Sequence, residues 1–194
     1  MAVASGELQE RGARRPSIGW LLLLGVIGAA LYAFANWTTL GIPVPGTDEV
    51  SIRPQYALLT FFGFVFGPMV GLIMGLAGNL AGDWLSGFDV STAWPWSVAN
   101  GLVGLLAGVG GAMLVGRATP SRRRAYLAGI ASVIATLVGF LFIWVELVTQ
   151  PELGFDYILR HEYLPTVAVN SIVAAVATPL LILGWEPLRH DAGR

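Results

Sequence analysis

Between Arg53 and Gly108 the chain runs RPQYALLTFFGFVFGPMVGLIMGLAGNLAGDWLSGFDVSTAWPWSVANGLVGLLAG: long apolar stretches cut by glycines, amides and an occasional carboxylate. A soluble domain could not hide that surface. In a bilayer every backbone polar group must be satisfied within the protein, which leaves helices whose apolar faces meet lipid and whose small residues let backbones approach. Glycine-lined helices with a few buried polar groups build a pocket rather than a simple anchor. The composition agrees, with 55% hydrophobic and 12% charged residues in 194, where an average soluble domain is about 25% charged. The expected class is an all-α, polytopic membrane protein.

The residue inventory excludes several chemistries. There is no cysteine, hence no disulfide, thiolate nucleophile, thiolate metal site or iron–sulfur cluster. All eleven basic residues are arginine. Without lysine there is no P-loop ATPase and no Schiff-base mechanism. A net charge of -1 argues against a nucleic-acid partner. His161-Glu162 lacks a second histidine at zinc-helix spacing, so no metal is expected, and no Ser/His/Asp set has support. No cofactor and no enzyme activity are expected.

Six apolar segments are legible: about Ile18 to Leu40, Ile52 to Phe66, Pro68 to Leu85, Trp96 to Val115, Tyr126 to Val148 and Leu164 to Trp185. The first is expected to stay as a membrane span rather than be cleaved as a signal peptide. Read as one helix, Ile52 to Leu85 would reach about 50 Å at 1.5 Å per residue, against a hydrocarbon core about 30 Å thick. Gly67-Pro68 divides it, since glycine ends a helix and proline opens the next. The domain reading is a tail at 1–17, a six-helix transmembrane domain at 18–187 and a tail at 188–194.

Arginine sets the orientation. With both termini cytoplasmic, the inner side holds Arg11, Arg14 and Arg15 of the first tail, Arg117, Arg122, Arg123 and Arg124 of the fourth-to-fifth loop, and Arg189 and Arg194. Only Arg53 and Arg160 fall outside, and an even number of spans is required. The outer loops are the elaborate ones: GIPVPGTDEVS from Gly41 to Ser51, Gly87 to Pro95, and Gln150 to Tyr163.

Glycines four apart (Gly67, Gly71, Gly75; Gly78, Gly82; Gly104, Gly108) form packing stripes that need touch no ligand. Gly25, Ala29 and Ala33 make a similar stripe on the first span. Asn79 and Asp83, one turn apart, lie near the outer end of the third span; a structural role, such as capping or pairing with Arg53, is weighed there against a functional one. Trp96, Asn100, Trp144, Glu146, Tyr163 and Asn170 share one depth in the outer third of the membrane. Amides and a carboxylate among aromatics at one level on three helices indicate a shared cavity for a small molecule.

Four motifs carry a family resemblance: I-R-P-Q at Ile52 to Gln55, F-G-P-M-V-G at Phe66 to Gly71, G-N-L-A-G-D-W-L-S-G at Gly78 to Gly87, and W-P-W-S-V-A-N-G-L-V-G-L-L-A-G at Trp94 to Gly108. In this ordered set the chain resembles the substrate-binding S component of energy-coupling factor (ECF) vitamin transporters. The resemblance implies a multi-pass protein of a prokaryotic plasma membrane that captures a vitamin or precursor from outside. It implies partners as well: a transmembrane T component and two ABC ATPase subunits, on which the S component docks and topples to release its ligand. Family members dock through an A-x-x-x-A pattern on the first helix, matched here by Ala29 and Ala33. The family's outer-end pocket corresponds to Trp96, Asn100, Trp144, Glu146, Tyr163 and Asn170. The ligand is left open among aromatic, thiamin-like or pyrimidine compounds, riboflavin and corrinoids. A self-sufficient proton-coupled transporter and a noncatalytic scaffold are the competing readings.

Overall fold

The structure, a computed structural model, describes residues 17–191 apart from 39, 40, 46, 48, 49 and 117. Helix α1 spans Ile18–Thr38, α2 Tyr56–Phe66, α3 Pro68–Leu85 and α4 Val90–Leu114. Helix α5, Ser121–Gly139, continues through a 3₁₀ segment, Phe140–Val145, into a last α turn, Glu146–Thr149. An α turn at Gly154–Tyr157 and a π-helical segment at Ile158–Tyr163 lead into α6, Leu164–Asp191. Strands β1, Ile42–Pro43, and β2, Ser51–Ile52, pair antiparallel between α1 and α2. The fold is thus the expected all-α membrane class. Four stretches are long and apolar enough to cross a bilayer: Ile18–Thr38, Val90–Leu114, Ser121–Thr149 and Gly154–Leu188. Residues 1–16, nearly all of the first expected tail, and 192–194, the last three of the second, lie outside the described residues, and α6 itself runs on to Asp191.

Helices α2 and α3 separate where the sequence divides them. Gly67 takes φ 103°, a conformation that strains any side chain, and Pro68 fills the first position of α3. Helix α4 starts six residues before the expected Trp96. Asp89 caps it, its carboxylate accepting from Ser91 N at 2.9 Å and Ser91 Oγ at 2.8 Å. Pro95 then falls just beyond the first turn, where the loss of one helical hydrogen bond is tolerated. The segment expected as the last outer loop, Gln150 to Tyr163, is largely helical.

The bundle has its apolar chemistry on the outside. Leu23, Ile27, Leu31 and Phe34 of α1, Ile134 and Val138 of α5, and Ile172, Val176 and Leu180 of α6 are exposed. Glycine, alanine and hydroxyl residues fill the contacts between helices. A Cβ placed on Gly71 would collide with the Gly104 carbonyl, and one on Gly111 with that of Phe64, so α2, α3 and α4 pack backbone against backbone. Buried hydroxyl pairs then link helices across the interior: Tyr56 Oη with Thr136 Oγ1 at 2.8 Å, and Thr60 Oγ1 with Thr178 Oγ1 at 2.7 Å. Helix α1 packs chiefly on α3, and α6 on α5.

Candidate functional site

At the end of the bundle opposite the arginine-rich first turn of α5, all six helices and the segments that join them converge on one cavity. Tyr32 comes from α1, Arg53 and Tyr56 from the start of α2, and Asn79 and Asp83 from the last turns of α3. Trp96 and Asn100 come from the first turns of α4, and Phe140 from the end of α5. His161, Glu162, Thr166 and Asn170 come from the π-helical segment and α6. Val50 and, from β2, Ser51 also line it. The enclosed volume is about 110 Å³, below the roughly 300–1,000 Å³ usual for small-molecule sites. A ligand of that usual size would fit only with the lining segments displaced.

The helices that shape the cavity are locked by the same polar groups that line it. Asn79 Nδ2 donates to Asp83 Oδ2 at 2.6 Å and to Ser97 Oγ at 3.2 Å, tying α3 to α4. Tyr32 Oη donates to Asn100 Oδ1 at 3.3 Å, and Asn100 Nδ2 donates to the Trp96 carbonyl at 2.8 Å. Asn100 is thus held from both ends of its amide, with one N–H of Nδ2 beyond that bond. Trp96 lies 6.0 Å from Phe140 between ring centroids, and Phe140 lies 6.3 Å from Tyr56. These rings give the cavity an aromatic wall facing amide, carboxylate and guanidinium groups, a surface suited to a flat, polar-edged heterocycle.

Of the six residues expected at the site, Trp96, Asn100 and Asn170 line this cavity, and Trp144, Glu146 and Tyr163 do not. Trp144 instead stacks on Phe155 at 5.1 Å and contacts Tyr163 at 5.6 Å. Tyr163 Oη donates to the Leu137 carbonyl at 3.3 Å. Glu146 is 1% exposed and accepts from Gln150 Nε2 at 3.4 Å. These three pin the 150–163 segment to the end of α5, beside the cavity. Asn79, Asp83 and Arg53, whose roles the sequence leaves open between structure and function, stand in the cavity wall. Tyr32, Tyr56, Phe140, His161, Glu162 and Thr166 were missed. The available signal for Tyr32 and Tyr56 was a hydroxyl-bearing ring within an apolar span, which must face a partner or a cavity.

Ala29 and Ala33 face inward. A Cβ on Gly78 would lie 2.9 Å from the Ala29 carbonyl oxygen, and one on Gly82 would lie 3.5 Å from Ala33 Cα. The small-residue stripe of α1 is the seam with α3. Among the described residues no group of three or more His, Asp or Glu side chains is placed to hold a metal ion.

Against known proteins, the family model described as ECF-type riboflavin transporter, S component, matches residues 20–186. A UPF0397 protein of Streptococcus pneumoniae serotype 19F (strain G54) is 40% identical over 182 residues, covering 86% of this chain and 90% of that protein. UPF0397 proteins of Streptococcus pneumoniae strains CGSP14 and P1031 are each 40% identical over 83 residues, so that the match spans 43% of those relatives' length and 43% of this chain. No solved structure matches the chain.

Proposed function

Because this chain belongs to the family of ECF-type riboflavin transporter S components, we propose that it captures a vitamin or vitamin precursor in the cavity between Tyr32, Asn100 and Asn170 and hands it to an ATPase-driven partner module. The family is one of transporter components and not of enzymes, and it makes the chain a membrane substrate-binding subunit. The observation that carries the finer reading is the convergence of aromatic rings with amide, carboxylate and guanidinium groups at one end of the bundle. The ligand we propose is a flat nitrogen heterocycle, with riboflavin, the vitamin in the family's description, as its first candidate. The rings of Trp96 and Phe140 would take its face, and Asn170 and Arg53 its polar edge.

In this reading six spans cross the plasma membrane of a prokaryote with both termini inside, α2 and α3 forming a short pair shielded by α4 and α1. The arginine-rich loop then faces the cytoplasm and the cavity faces outward. Ligand reaches the cavity when the β1–β2 loop and the 150–163 segment swing away. Trp144, Glu146 and Tyr163 act as the clasp that holds the second of these over the bound ligand. The partners are a transmembrane T component and two ABC ATPase subunits. Ala29 and Ala33 are the proposed docking positions. Because they form the α1–α3 seam, docking there engages the seam's edge, and a bulky residue would alter that edge by forcing α1 away from Gly78.

The test is reconstitution. Vesicles holding the chain alone should bind radiolabelled ligand and accumulate none, and adding the T component, the ATPases and ATP should produce uptake. Uptake by the chain alone under a proton gradient would overturn the proposal in favour of a secondary transporter using a buried carboxylate such as Asp83.

A further inference from the structure

A second cavity, of about 350 Å³, lies at the arginine-rich end, where the α2–α3 turn, the last turns of α4 and α6 and the first turn of α5 meet. It shares no residue with the cavity described above. Its size falls within the roughly 300–1,000 Å³ of small-molecule sites. Its walls are glycine or apolar, as at Phe64 and Val115, except for Arg124, Trp185 and Glu186. Glu186 is engaged within the protein: Arg124 Nε stands 3.3 Å from its Oε1, and Ser121 Oγ donates to its Oε2 at 3.3 Å. Arg124 Nη2 and Trp185 Nε1 are buried and have no hydrogen-bond acceptor among the described residues.

Buried polar groups are nearly always paired, and these two can only donate. The chemistry that completes them is an acceptor. Arg122 and Arg123, exposed in the same turn, add positive charge beside the single carboxylate, so an anionic acceptor is favoured. A guanidinium fork with an indole N–H matches the spread oxygens of phosphate better than a point acceptor. Basic pockets between membrane helices are where phosphate-bearing head groups bind.

We propose that this cavity is a second binding site, for a phosphate oxyanion, with Arg124 Nη2 and Trp185 Nε1 as its donors. The oxyanion comes either from an anionic phospholipid, whose chains would follow the apolar walls outward, or from soluble phosphate. Bound there, it would fasten the ends of α5 and α6 to the α2–α3 turn.

The test uses the full chain in detergent, followed by native mass spectrometry and thermal unfolding with phosphatidylglycerol, diacylglycerol of the same chains or inorganic phosphate. Phosphatidylglycerol should stay bound and raise the Tm, with diacylglycerol of the same chains, which lacks the phosphate, about tenfold weaker or more, as expected for a lost charge-assisted contact. Trp185→Phe keeps the ring and removes the N–H. The double variant R124Q/E186Q removes the cation without leaving a buried carboxylate unpaired. Both should lose the preference while keeping the parent's cooperative unfolding transition in the absence of added lipid, which reports folding. A Tm rise with inorganic phosphate and none with lipid would support the same site with a soluble source. Equal binding of the two lipids with no response to phosphate would overturn the proposal, as would an anionic preference unchanged in both variants. Variants that bind no less oxyanion but lose partner-driven uptake would also overturn it, and would give the cavity to a protein partner.

Discussion

Gly75 offers the sharpest test of how the cavity is held. It lies on α3 directly against the α4 backbone, where an added Cβ would collide with the Asn100 carbonyl oxygen and stand 2.7 Å from the Gly101 nitrogen. Such atoms rest at about 3.5 Å, and the Asn100 carbonyl carbon would stand at 2.5 Å, so Gly75→Ala forces α3 and α4 apart by roughly 1 Å. Overpacking of this kind costs about 1–3 kcal/mol. Gly184→Ala on α6 is the matched control, because its Cβ would meet nothing within 4 Å. Both substitutions carry the same intrinsic helix gain of about 1 kcal/mol over glycine. Their difference therefore isolates the clash. Reversible unfolding in mixed micelles should show Gly184→Ala at or above the parent and Gly75→Ala about 1–3 kcal/mol below that control. Ligand affinity should fall only in Gly75→Ala, since the displaced backbone is that of Asn100. Equal stability of the two variants, within about 0.5 kcal/mol, would refute backbone-on-backbone packing as the frame of the cavity.

Three further outcomes are expected. Thr60→Val and Thr178→Val should each cost about 1–3 kcal/mol by orphaning the partner hydroxyl, and the double variant should cost less than their sum; strict additivity in the unfolding cycle would mean that the 2.7 Å contact carries no coupling. Asn170→Ala should weaken ligand binding about five- to tenfold, the loss of one hydrogen bond of about 1 kcal/mol, with little change in Tm; an unchanged affinity by calorimetry would remove Asn170 from the site. The hydroxyl and backbone N–H of Ser91 hold the Asp89 carboxyl below its ordinary value of 3.8. A lowered folded value means the cap stabilises above the unfolded value and is lost as pH falls through the folded one. The difference in hydrogen-exchange protection between the parent and Asp89→Ala at the start of α4 should therefore be full at neutral pH and vanish in strong acid, and a pH-independent difference would exclude the carboxylate as its source.

The class of fold was legible because it follows from solvent physics: long apolar runs, scarce charge and the Gly67-Pro68 break leave few alternatives. The resemblance read from four motifs is borne out by the family match over residues 20–186. Element ends were less legible. The start of α4 was placed at Trp96, whereas Asp89 and Ser91 set it through a local cap. The 150–163 segment looked like a loop because its charges break hydropathy, yet charged residues coil readily at a helix end near water. At the site, depth in the membrane could be read from the chain but rotation about each helix axis could not. Trp96 and Trp144 share a level, and only packing decides that one lines the cavity while the other stacks on Phe155. Tyr32 offered only its hydroxyl as a signal, since which way it faces depends on α1 lying against α3.

The most direct test of the capture account is mass spectrometry of the small molecule carried by the chain after gentle extraction from its own membrane, with calorimetric binding of the compound so found. The account predicts one vitamin-sized aromatic compound in near-stoichiometric amount, its affinity reduced by Asn170→Ala and by Gly75→Ala. A chain that carries no such compound, and whose melting temperature no flavin, pyrimidine or corrinoid shifts, would contradict it.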